Sequence, residues 1–182
     1  MMLAVINLGP LLMVGSLWLG VWLGWTSLAC RWQAGANDRA WKSARRFLTG
    51  GLAALAGHTL ITFDNYHNWS HEMARVAMEL RVAEYLPVKS GAIIYLTYFY
   101  LALWVIEVVW SWAAFDSWQT RGRWLDGAIQ FYLQLYGLVL ILWVGGVGAH
   151  YVPPWLPGLL TILAVGGATW FWRRWLARRR AV

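Results

Sequence analysis

Apolar residues in this chain fall in long, nearly unbroken blocks, and the polar residues gather between them. A helix that crosses the hydrocarbon core of a bilayer needs about 20 mostly apolar residues. Five blocks fit that requirement, at 3–29, 47–63, 92–115, 128–149 and 155–176. The second is short, rich in small residues and interrupted by His58. Between the second and third blocks the pattern changes to a helical stripe. Met73, Val76, Ala77 and Leu80 share one face, with Glu72, Arg75 and Glu79 turned away. The spacing predicts an amphipathic helix over 70–85 lying along the outer membrane surface or against a partner, closed by Pro87. The fold expected is an all-α integral membrane protein. It would have about five transmembrane helices and one external amphipathic helix, in a single polytopic domain over 1–182.

Composition sharpens that expectation. Hydrophobic residues make up 60% of the chain and charged residues 13%, about half the charge of an average soluble domain. The first block has no basic leader and exceeds the apolar core of a secretory signal, so it reads as a retained span. Lys and Arg then orient the helices. Arg31, Arg39, Lys42, Arg45 and Arg46 follow the first block, Arg121 and Arg123 follow the third, and five arginines end the chain. With five spans these three segments lie on one side. The excess of positive charge on cytoplasmic loops places the N-terminus outside and the C-terminus in the cytoplasm of a bacterial-type inner membrane. A net charge of +7 follows from the same bias and is no sign of nucleic-acid binding.

A few residues stand out chemically. Glu107 lies in the apolar run LALWVIEVVW with no basic residue within a turn or two. A charge at mid-helix costs about 2.5–3.5 kcal/mol on insertion scales, so Glu107 should face protein, with Gln130, Gln134 or His58 as partners. His58 can be hydrogen-bonded structure or an axial ligand, but a bis-histidine haem site needs a second histidine at similar depth on another helix. Trp104 belongs to a deeper set of tryptophans, with Trp18, Trp22, Trp25, Trp110 and Trp143. Others, such as Trp32, Trp41, Trp118 and Trp124, sit near span ends, where indoles favour the interface. His58, Glu107 and Trp104 are therefore the candidate cofactor-contacting residues, for a pigment, a quinone or a lipid.

The stretch FDNYHNWSHE at 63–72 supplies Asp64, His67 and His71. On a continuous helix, positions i, i+3 and i+7 would share a face and could ligate a metal. Asn65, Asn68 and Ser70 are turn and capping residues, and they predict a break with a new helix from about Ser70. A single cysteine, Cys30, leaves no internal disulfide and no cysteine-based metal centre. Ser16, Gly20 and Gly24 make a small-residue row on the first helix that lets another backbone approach closely, inside the chain or between subunits.

No nucleotide-binding, serine–histidine or covalent-haem motif is present. The reading favoured by the residues is a non-catalytic membrane subunit that stabilises a larger energy-transducing complex, photosynthetic or respiratory. Its partners would be the bilayer and other membrane subunits. The alternatives are a metal-dependent oxidoreductase or hydrolase using Asp64, His67 and His71, and a small transporter built on Glu107.

Overall fold

The computed structural model describes residues 9–35, 37–85 and 89–147; side chains are described up to Ile141, that of Tyr85 apart. The chain divides into two compact units, 1–141 and 142–182. Of the second, the described part is the helical backbone of 142–147. The fifth apolar block lies outside the described residues.

Every described element is helical: α1 (Gly9–Ala34), α2 (Asp38–Thr62), a π turn (Phe63–His67), α3 (His71–Tyr85), α4 (Ile93–Ala113), α5 (Phe115–Thr120) and α6 (Arg123–Val147). Three of these, α1, α4 and the Arg123–Ile141 part of α6, are long and apolar enough to cross a membrane. The sequence expectation of five spans is thus met for three helices. The remaining long helix, α2, carries Asp38, Arg39, Lys42, Arg45 and Arg46 before its apolar part begins. Those charges make its first third a polar helix rather than the loop expected from the sequence. Hydropathy marks where lipid contact stops, whereas Ala, Arg and Lys continue a helix readily.

The link between α1 and α2 shrinks to a tight turn. Gly35 takes φ +49, a left-handed conformation that costs a side-chain-bearing residue and ends α1 cleanly. Asn37 then caps α2, its side-chain oxygen accepting from the Arg39 amide at 3.0 Å. Trp41 closes the turn by donating from its indole to the Gly35 carbonyl at 3.1 Å.

Small residues set how the helices meet. A Cβ on Gly20 would lie 2.7 Å from Leu55, and one on Gly51 would lie 3.0 Å from the Gly20 carbonyl. A Cβ on Gly24 would lie 2.5 Å from the Trp104 ring. The glycine row of α1 therefore makes an internal crossing with α2, and the indole of α4 fills the notch. Rows of small residues are what let helix backbones associate closely in a bilayer, where lipid tails remove most of the hydrophobic incentive. Trp104 is buried, donates to the Leu48 carbonyl at 3.0 Å and meets Tyr100 edge-on at 5.4 Å. On α6, Gly137 receives Val21 and the Tyr100 hydroxyl. Tyr136 and Thr97 share a hydroxyl bond of 2.8 Å, and Tyr132 donates to the Leu96 carbonyl.

The contacts fix an antiparallel order. Arg31 at the end of α1 meets Trp41 near the start of α2, and Arg45 reaches Ser111 near the end of α4. At the other end, His58 of α2 donates from Nδ1 to the Met13 carbonyl at 2.8 Å. The basic segments at 31–46 and 121–123 consequently share one end of the unit. α3 lies at the opposite end, where the Arg75 stem abuts Gly91 and His71 bonds the Tyr98 hydroxyl at 2.8 Å. The predicted start of α3 is met: the Ser70 hydroxyl accepts from the Met73 amide. Ala74 and Val82 are buried, whereas Met73, Val76 and Leu80 are exposed.

Candidate functional site: a buried ionic cluster

The polar centre of the unit forms around Glu107. Four elements contribute to it because α4 ends only six residues further on, at Ala113, and α5 turns the chain back. Arg121, just after α5, then points at α4 rather than away from it. At 1.5 Å per residue, Glu107 sits about 9 Å from the helix end, within reach of an arginine side chain. The sequence view of an acid far from any base fails because it counts distance along the chain. The base arrives by a reversal of direction.

Both Glu107 oxygens are occupied. Arg121 donates to Oε1 through Nη1 and to Oε2 through Nη2, the latter at 2.9 Å. Trp118 donates from its indole to Oε2 at 3.2 Å, and Gln130 approaches the same oxygen at 3.4 Å. Arg31 of α1 lies 3.8 Å from Oε2 and makes its closer bond to Asp126 of α6. Asp126 also accepts from Arg121, through Nε at 2.9 Å and Nη2 at 2.5 Å. Two arginines and two carboxylates thus alternate in a formally neutral cluster. Glu107 is 0% exposed, and the Asp126 side chain, at 30%, forms the rim.

Aromatic rings wall the cluster. The Arg31 guanidinium lies 4.7 Å from the Trp118 ring centroid and 5.6 Å from that of Trp41, and Arg121 lies 5.3 Å from that of Trp110. Trp41 and Trp118 meet edge-on at 5.5 Å. A guanidinium is weakly hydrated, planar and rich in donors, so it tolerates this dry aromatic setting better than an ammonium would.

Of the expected partners of Glu107, only Gln130 is one. Gln134 donates to Gln130 instead, at 3.5 Å, and His58 is bound to Met13. The three candidate cofactor residues are not brought together: Glu107 is held by arginines, Trp104 by the glycine notch and Leu48, and His58 by α1. Arg31, Arg121, Asp126 and Trp118 were not among the sequence candidates. One signal for them was available. Asp126 is an acid only three residues beyond the basic pair Arg121 and Arg123, close enough in sequence to suggest an ion pair there.

Asp64, His67 and His71 do not converge either. The π turn carries the helix past Asn65, whose side chain donates back to the Ile61 carbonyl, and the break comes at Asn68 and Trp69 with φ 44 and 57. Asp64 accepts from the Trp69 indole, His67 rests edge-on against Phe63, and His71 turns to Tyr98. Burial holds the His67 imidazole below its ordinary pKa, which favours the neutral ring beside Phe63. Among the described residues no three His, Cys, Asp or Glu side chains are grouped to hold a metal ion.

Comparison with known proteins adds no relative: no family model, curated protein or solved structure matches this chain.

Proposed function

We propose that this chain is a polytopic membrane protein of about five spans that serves as a helical structural subunit of a larger membrane assembly. An energy-transducing complex is the setting its aromatic-rich sequence favours. The observation that carries the reading is the closure of Glu107. Its two oxygens are saturated by Arg121, Trp118 and Gln130, and Asp126 completes the charge balance. A transported ion or an acid–base step needs a carboxylate that can release its partners, and this one is held by a bidentate arginine. The exposed faces of α1 and α4, with Leu12, Leu19, Phe99, Ile106 and Val109, suit lipid and neighbouring helices.

The gathering of 31–46 and 121–123 at one end supports an orientation with that end in the cytoplasm and α3 outside. α2 then serves as a span whose apolar part, 47–62, is shortened by its basic start. Two experiments test the proposal. A cysteine placed near Trp41 in a Cys30→Ser background should react only with reagents delivered from the cytoplasmic side; labelling from outside refutes the orientation. Mild-detergent purification at native expression levels should recover the chain in a species with other membrane proteins in fixed ratio. Recovery solely as a free monomer refutes the subunit role.

A further inference from the structure

Arg45 is a part-buried cation that the central cluster leaves out. Its guanidinium lies 3.9 Å from the Trp112 ring centroid and 4.8 Å from that of Phe115, and Nη1 donates to the Ser111 carbonyl at 3.4 Å. Among the described residues no carboxylate pairs with it, and its Nε is buried without an acceptor. A part-buried guanidinium with spare donors is costly unless an anion completes it. The surroundings say what kind of anion. Arg39, Lys42 and Arg46 stand on the same turns of α2, outnumbering the one acid there, Asp38, and also lack an ion-pair partner among the described residues. The local charge therefore calls for a negative group at the membrane boundary.

The apolar part of the ligand is visible as well. Val105, Val109 and Trp112 fall at i, i+4 and i+7 of α4, and all three are exposed. They form a track that leads from the middle of the span to the ring on which Arg45 stacks, about 10 Å long at the helical rise. Trp112 is fixed in place by its indole bond to Thr49 of α2 at 2.9 Å. An apolar track ending at an unpaired guanidinium has the shape of an amphiphile with a phosphate head.

We propose that Arg45, Trp112 and this track bind an anionic phospholipid, its phosphate against the guanidinium and an acyl chain along Val105 and Val109. The site rests on the membrane reading above. A fork of charge-assisted bonds to phosphate is stronger than a neutral hydrogen bond, and its loss should cost about tenfold in affinity. The test is native mass spectrometry of the full chain in detergent, titrated with phosphatidylglycerol or phosphatidylcholine. Phosphatidylglycerol should bind more tightly. R45Q should weaken it about tenfold, and R46Q should weaken it less. V109W, on an exposed position, fills the track without touching the guanidinium and should also weaken binding, which guards against misfolding of R45Q. Equal binding of the two lipids, equal binding to R45Q and wild type, or displacement by inorganic phosphate would overturn the site. Alkaline carbonate extraction separates the two levels: release of the chain from membranes refutes the membrane reading, whereas retention with an unaffected R45Q refutes only the lipid site.

Discussion

The Glu107 cluster and the charges of α3 use the same chemistry in opposite surroundings. On α3, Arg75 grips Glu72 with Nε at 2.9 Å and Nη2 at 2.6 Å, and reaches Glu79 at 3.3 Å. The geometry rivals the bidentate contact of Arg121 with Glu107. Yet Glu72 is largely in solvent, where water and salt compete for both partners and an exposed ion pair contributes little. Around Glu107, Arg31 and Arg121, whose side chains are 0–4% exposed, such competition is largely excluded, so a missing partner there leaves a bare charge among tryptophans. Bond lengths alone do not rank the two sites. The environment of the partner left behind does.

The largest effect should follow from Glu107→Gln. It leaves Arg31 and Arg121 sharing one carboxylate, and breaking a buried pair from one side costs about 3–5 kcal/mol. Thermal unfolding in detergent should show a loss of many degrees; a near-wild-type midpoint would place the cluster in effectively wet surroundings. Next comes Gly24→Ala on α1, which faces Trp104, one turn of α4 before Glu107. Its new Cβ drives into Trp104, and overpacking of this kind costs about 1–3 kcal/mol. An unchanged midpoint would mean that α1 and α4 can separate freely. Asn37→Ala removes the cap of α2 and should cost about 1 kcal/mol, read as faster amide exchange at the start of that helix.

The smallest effect belongs to α3. The Arg75 hydrogen bond holds the Glu72 carboxyl below its ordinary value of 4.5. A carboxyl whose folded pKa is lowered contributes stability above its unfolded value and loses it as pH falls through the folded one. Exchange protection of α3 should therefore weaken slightly below the ordinary carboxylate range, and Glu72→Gln should flatten that dependence. Equal acid sensitivity in the variant would assign the change to another group.

These contrasts also show what the sequence carried. The helical class, the start of α3 at Ser70 and the inward need of Glu107 were legible, because periodicity, caps and the cost of a charge in lipid are local properties. The partners of Glu107 were not, since Arg121 and Asp126 reach it only after α5 reverses the chain. The linker bases of 38–46 read as loop charges because hydropathy reports the bilayer and not the helix. On α3 the stripe of Met73, Val76 and Leu80 was visible, but a stripe does not say whether protein or lipid covers it. The protein took Ala74 and Val82, whose small or compact side chains let the helix sit close.

Charge balance holds the cluster together, and Glu107→Gln combined with Arg121→Gln tests that balance most directly. The single Glu107 change leaves two guanidiniums to Asp126, whereas the double change leaves Arg31 and Asp126 as a matched pair. Compared by thermal unfolding in the same detergent, the double variant should be more stable than Glu107→Gln alone, recovering on the order of 1 kcal/mol or more. A double variant equal to the single one, or less stable, would contradict the claim that Glu107 is there to neutralise buried arginine.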